Sequence, residues 1–258
     1  MVSKINPDVG GGLKTLDKAF RIVDFIKAND GVTLGEITEE FGVAKSTVHR
    51  HLQTLLAHGY LIKEGDQYHL GLRFLDPAIH ARSRRQGYGI IEKKVEALAD
   101  ETGERAQFIT AENNLGIHVF SAIGSDGIES ESRVGKIVYL HTTSAGKAIM
   151  AHIDSEQIDE VIGQNGLPKL TENTITSRAA LEEELKTIRE RGYATNRAER
   201  RSGMVAIGTP VMTAREEVLG AISVTGPLRR MESEHMEYLP NLLLDITEDI
   251  KLRLEYTE

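Results

Sequence analysis

The chain of 258 residues contains no cysteine, which removes disulfides, thiolate catalysis, cysteine-based zinc sites and thiol redox sensing together, and suits a reducing compartment. No apolar run approaches the roughly eighteen residues that a membrane span needs, and no basic-then-apolar leader follows Met1, so the expectation is a cytoplasmic protein with no membrane partner. Enzyme signatures are also missing. There is no G-x-S-x-G nucleophile elbow, and the nine histidines show no H-E-x-x-H spacing, with His118, His141 and His152 isolated along the chain. The run Gly10-Gly11-Gly12 is not followed by the Lys-Ser or Lys-Thr of a phosphate-cradling loop, and residues 1–12 read as a frayed arm. No cofactor and no catalytic residue are expected. A metal site assembled in space, rather than along the sequence, stays open.

Net positive charge is lacking too. The formal total of −8 argues against a surface that meets nucleic acid everywhere. Its distribution is uneven: residues 1–86 hold 12 Lys and Arg against 10 Asp and Glu, a balance of +2, and residues 87–258 hold 19 against 29, a balance of −10. Only the first third is suited to phosphate; the acidic remainder serves another purpose.

Hydrophobic content of 40% and charged content of 27% are those of a globular protein, large enough for one or two domains. Leu16, Ala19, Phe20, Val23 and Ile26 recur at helical spacing and predict a first helix over 15–28, completing a three-helix core. Thr33 followed by Glu36 is a capping box, and Leu34, Ile37 and Phe41 form one apolar stripe ended by Gly42. After only Val43 and Ala44, a second pattern places Val48, Leu52, Leu55 and Leu56 on the inner face. Lys45, Ser46, Thr47, His49, Arg50 and Gln53 then lie on the outer face or at its border. A short helix, a tight turn and a helix with a polar, basic first half can enter a DNA major groove, although an ordinary helical hairpin with a solvated polar face has the same pattern. Two alternating runs, 60–63 and 67–70, about Glu64-Gly65-Asp66 predict a β-hairpin in the position of a wing.

Leu72, Leu75, Ile79 and Arg82 continue a helical register to Ser83-Arg84-Arg85-Gln86-Gly87, the expected linker, with Pro77 near its start or at a kink. Its arginines could meet DNA, an acidic neighbouring subunit or only solvent. Beyond it the pattern predicts a helix near 90–99 and strands over 106–111, 117–123, 138–140, 193–196, 205–212 and 218–224. Helices are predicted over 144–152, 155–163 and 178–191, and a long one from Glu232 onward. Hairpins interleaved with helices indicate an α+β fold with a largely antiparallel sheet.

The segments GGLKTLDKAFRIVDFI, the helical motif, YHLGLRFL, HTTSAGKAIMA, RGYATNRAERRSGMVAIGTPV and LGAISVTGP together resemble the IclR family of prokaryotic transcriptional regulators, in the family's order and over nearly the whole chain. The resemblance implies a winged helix-turn-helix domain over 12–72, a linker helix over 73–87 and a GAF-like effector-binding and oligomerisation domain over 88–258. It implies a ligand-responsive regulator, repressor or activator, of a catabolic operon, binding pseudo-palindromic operator DNA as a homodimer or dimer of dimers. Lys14 and Thr15, at the start of the first helix, are implied to touch the DNA backbone. Ser144, Ala145, Gly146, Asn196, Ser223 and Thr225 are implied to line a pocket for a small organic or sugar acid. The residues agree in part: small residues entering a helix at 144 leave backbone N–H groups open to an anion, and Ser223 and Thr225, two apart on a strand, share a face. Asn196 stands where many members have Asp, and Ala206 where many have Cys, which leaves the ligand open. Two other readings remain at this point: a second domain that only oligomerises, and a small-acid enzyme carrying a DNA-binding domain.

Overall fold

The computed structural model describes residues 12–128 and 132–256, apart from the side chain of Glu234. Gly10 and Gly11 of the expected arm lie outside the described residues. The chain divides into two compact units between Arg85 and Gln86.

In the N-terminal unit, α1 (Lys14–Asn29) is followed by β1 (Val32–Thr33), α2 (Leu34–Phe41) and α3 (Lys45–Ala57). The capping box forms: the Glu36 carboxylate accepts from the Thr33 N–H at 2.7 Å, and Thr33 Oγ1 accepts from the Glu36 N–H at 3.3 Å. The bond from the Thr33 N–H, and a second from the Thr33 hydroxyl to the same carboxylate at 2.8 Å, hold the Glu36 carboxyl below its ordinary range. At the other end Gly42 adopts φ +58°, a left-handed conformation that closes α2 and permits the tight turn into α3. The wing comprises β2 (Leu61–Glu64) and β3 (Gln67–Leu70), with β1, too short to show in a pattern, pairing on the far side of β3. Ile22, Ile26, Val32, Ile37, Val48, Leu52, Leu61 and Tyr68 form the core.

The expected core face of α1 needs correction. Ile22 and Ile26 are buried, but Leu16 and Phe20 are 54% and 62% exposed. Periodicity marked an apolar stripe correctly and could not tell which stripe turns inward. A 3-10 turn at Leu72–Phe74 leads into α4 (Leu75–Ser83), with Pro77 in its first turn, where a missing N–H costs nothing. The apolar side chains of Leu72, Leu75 and Ile79 are likewise exposed.

The C-terminal unit begins with α5 (Tyr88–Thr102). There follow β4 (Arg105–Glu112), β5 (Leu115–Ile123), β6 (Ile137–Val138), α6 (Ser144–Met150), α7 (Ser155–Asn165), α8 (Arg178–Arg191), β7 (Ala194–Arg197), β8 (Met204–Met212) and β9 (Val218–Pro227). The strands form one antiparallel sheet in the order β6-β5-β4-β9-β8-β7. Asn113 and Asn114, with φ of 52° and 62°, make the tight β4–β5 turn.

Two expectations are corrected here. Leu140 belongs to a 3-10 turn over Leu140–Thr142 rather than to the short strand. The last helix does not run unbroken from Glu232: a helical turn α9 (Leu228–Arg230) and a π-helical turn over Met231–His235 precede α10 (Leu239–Glu255), whose second residue is Pro240. Proline is tolerated at a helix start and not in its interior, so α10 begins there.

Alternation along the strands sends side chains to two cores. Phe108, Phe120, Val205, Ile207, Ile222 and Val224 pack with α5 and α10, whereas Ile109 and Ala221 pack with α6, α7 and α8. Val48→Asp would place an unpaired charge in the N-terminal core, at a cost of about 3–5 kcal/mol; the expected outcome is loss of that unit's cooperative unfolding and of DNA binding. A folded Val48→Asp protein that still binds DNA would mean that the faces of α3 are reversed.

Candidate functional site

Lys14 and Thr15 occupy the exposed first turn of α1. On α3, Lys45, Ser46, His49, Arg50 and Gln53 are exposed and Thr47 is half-buried, opposite the buried Val48 and Leu52. Neither the Lys45 ammonium nor the Arg50 guanidinium has an ion-pair partner among the described residues. Burial lowers the pKa of His51 on the same helix, and the nearby charges of Lys18 and Arg50 add to that effect. The exposed Lys45 and Arg50 make this face suited to phosphate.

The second site is a cavity of about 910 Å³ in the C-terminal unit. The sheet supplies its floor. Asn196 on β7 pairs with Ala206 on β8, which pairs with Thr225 on β9; one step along, Ser223 on β9 pairs with Gln107 on β4. Gln107, Asn196 and Ser223 are buried, and Gln107 donates to Thr225 Oγ1 at 3.3 Å. A β-bulge completes the floor. Phe108 faces Phe120, but Ile109 faces His118, so Val119 is the extra residue and His118 is turned to the cavity side.

Lys136, Arg200 and Arg201 also line the cavity, and no Asp or Glu does among the described residues. Arg200 and Arg201 follow β7 in a loop held by a buried network. Lys147 on α6, 1% exposed, contacts Glu199 at 2.8 Å and Glu184 on α8 at 3.1 Å. The Glu199 carbonyl accepts from Thr171 and Thr174, and its N–H donates to Asn196 Oδ1 at 3.2 Å. Asn196 Nδ2 donates to the Thr142 carbonyl at 2.5 Å. The amide thus serves as donor and acceptor at once, a pairing that an ionised Asp could not make at the Thr142 carbonyl.

Of the six residues expected here, Ser144, Asn196, Ser223 and Thr225 line the cavity. Ala145 and Gly146 are buried and are not among its lining residues. The Gly146 N–H donates to Thr143 Oγ1 at 2.9 Å, and a Cβ on Gly146 would lie 2.2 Å from the Leu140 carbonyl oxygen. Its smallness lets α6 pack on the preceding turn rather than admitting a ligand. Sequence reasoning did not bring Lys136, Arg200, Arg201, Gln107 or His118 to this place. The arginines stood within RGYATNRAERRSGMVAIGTPV, whose charge was a usable signal. His141 lies beside the cavity-lining Thr142, its Nε2 3.3 Å from the Pro168 carbonyl; burial lowers its pKa, opposed by that contact.

Residues 81–252 match the family described as bacterial transcriptional regulator IclR C-terminal, and residues 15–65 match the IclR helix-turn-helix domain. This chain belongs to the IclR family. It is a DNA-binding transcriptional regulator with a helix-turn-helix domain and an effector-binding C-terminal domain. The HTH-type transcriptional regulator BhcR of Paracoccus denitrificans is 30% identical over 93% of this chain and 87% of its own. The crystal structure of the Thermotoga maritima IclR is 28% identical, with a TM-score of 0.79 over 93% of this chain and 98% of that one. An IclR homolog of Microbacterium hydrocarbonoxydans, crystallised with 4-hydroxybenzoate, shares the fold at 20% identity, with a TM-score of 0.77 over 94% of this chain and 99% of that one.

If Gly146 serves packing, Gly146→Ala should destabilise the C-terminal unit by about 1–3 kcal/mol. Gly163 on α7 has nothing within 4 Å of an added Cβ, so Gly163→Ala should be neutral or slightly stabilising. Thermal unfolding of both variants checks the contrast.

Proposed function

We propose that this IclR-family regulator answers a small anionic effector, held in the cavity over the β7-β8-β9-β4 floor, by changing its affinity for a pseudo-palindromic operator. The observation that carries the effector part is the cavity lining: Lys136, Arg200 and Arg201 border it together with the hydrogen-bonding groups of Gln107, Asn196 and Ser223, a combination of cations and polar groups that suits an anion. The 4-hydroxybenzoate bound by the Microbacterium homolog is also a carboxylate ligand, which supports a small organic or sugar acid here. Ser144, Asn196, Ser223 and Thr225 orient it. Ala145 and Gly146, buried in α6 next to Ser144, fix the start of that helix at the cavity.

On the DNA side, Lys45, Ser46, Thr47, His49, Arg50 and Gln53 read or grip the major groove, and Lys14 and Thr15 contact the backbone. A single recognition helix covers few base pairs, so two half-sites and a homodimer are required for useful specificity. The exposed apolar side chains of Leu13, Leu16 and Phe20 on and before α1, and of Leu72, Leu75 and Ile79, support a second copy as the partner that covers them. The unit acts without catalysis, in the cytoplasm, on a catabolic operon; its relatives carry the names of regulators.

An operator for testing is obtained by selecting tight-binding duplexes from random sequence. Arg50→Ala and Lys45→Ala should then weaken binding without loss of fold. Each lost phosphate contact should flatten the log–log salt dependence by about one unit, and a lost base contact should relax sequence preference. Unchanged affinity and slope in both variants would remove the recognition-helix assignment.

The effector reading predicts reciprocity. An acid found to bind must change operator affinity, and operator must change the acid's affinity by the same factor. Ser223→Ala should weaken the acid by about 0.5–1.5 kcal/mol, the loss of one neutral hydrogen bond, with operator affinity unaltered when the acid is absent. Paired titrations check both, and equal acid affinity with and without operator would leave a binding protein that does not switch.

A further inference from the structure

The cavity floor contains one group whose needs a simple carboxylate does not meet. His118 is 2% exposed, the bulge at Val119 aims it into the cavity, and neither ring nitrogen has a hydrogen-bond partner among the described residues. Arg105 on β4, Lys136 after β5 and Arg200 after β7 all oppose a further positive charge at this point. Desolvation is the larger effect, and together they push the His118 pKa down to about 3. The imidazole is therefore neutral at physiological pH, with one N–H donor and one bare acceptor nitrogen. Burying both unused is costly, and a ligand that accepts from one nitrogen and donates to the other would remove that cost. A carboxylate only accepts; a hydroxyl can donate.

We propose that the cavity is specific for a hydroxylated carboxylate, whose anionic end lies toward Lys136, Arg200 and Arg201 and whose hydroxyl donates a hydrogen bond to His118. The proposal rests on the cavity being the effector site and names the chemistry of its ligand. The neighbouring floor is of the same character: Gln107, Ser223 and Thr225 offer amide and hydroxyl groups to further ligand hydroxyls. Three exposures grade the site: Arg201 is exposed, Arg200 half-buried and His118 buried. Charge is thus read near solvent and the hydroxyl at depth.

The test is isothermal titration of the full chain with matched acids that differ only in hydroxylation: gluconate against hexanoate, malate against succinate, and 4-hydroxybenzoate against benzoate. In at least one pair the hydroxylated acid should bind about five- to tenfold tighter, the yield of one well-placed neutral hydrogen bond. His118→Leu should bring that ratio close to one while changing the affinity of the unhydroxylated acid little. His118→Gln retains a donor and an acceptor and should keep part of the preference, and it remains informative if the leucine variant does not fold. Because His118 stays neutral, the favoured acid should bind without proton uptake between about pH 6 and 8, measured as equal heats in buffers of different ionisation enthalpy. Equal affinity within every pair, a preference unchanged in both variants, or uptake of a proton on binding would each overturn the inference. Binding of none of the six acids would remove the effector reading with it. Acids that bind and shift operator affinity without any hydroxyl preference would remove the inference alone, and a His118-dependent preference with no effect on operator affinity would remove only the switch.

Discussion

A single buried ammonium organises the C-terminal unit. Lys147 is 1% exposed, and a charge taken so far from water costs several kcal/mol unless carboxylates and hydrogen bonds surround it. Glu184 and Glu199 meet that requirement from α8 and from the loop after β7, 37 and 52 residues further along the chain. The placement of Glu199 decides the rest. With its side chain on Lys147 and its main chain bonded to Asn196, Thr171 and Thr174, the next two residues, Arg200 and Arg201, have little choice but to stand over the cavity. The position of these two cavity-lining cations is in this sense a by-product of neutralising one buried lysine.

Much of the fold was legible because short-range patterns have local causes. The expected helix over 178–191 agrees with α8, since Ser177 caps one end and the left-handed Gly192 closes the other. The capping box at Thr33 and the glycine turn of the wing were readable for the same reason. What escaped depends on distant partners. A period of 3.6 shows that Leu16, Phe20 and Ile26 share a stripe of α1, but burial depends on what packs against it, and only Ile22 and Ile26 on that helix are fully buried. The bulge is invisible for a similar reason: Val119 and Phe120 both join the same core cluster, and nothing in GIHVFSA announces that alternation stops there. Without it His118 would pair one residue further along β4 and be turned from the cavity.

The candidate site was half legible. Ser223 and Thr225 share a face by strand geometry alone, and Asn196 joins them through β8. Gly146 is not among the cavity-lining residues, and a Cβ there would meet the backbone of Leu140, a close approach between chain segments that the run of small residues does not announce. Charge misled in its own way. A balance of −10 over residues 87–258 conceals a cavity bordered by three cations, because net charge sums a surface and a ligand meets only one patch of it.

Gly87, the residue before α5, has φ +83°, and a Cβ there would lie 2.1 Å from Leu254 Cδ2 near the end of α10. The first and last helices of the C-terminal unit therefore come together at their outer ends. In chain-tracing terms the unit is a closed circuit: its entrance and exit are neighbours, so a short peptide could join them and a new opening could be cut in an exposed turn such as Asn113-Asn114 without stretching any strand of the sheet.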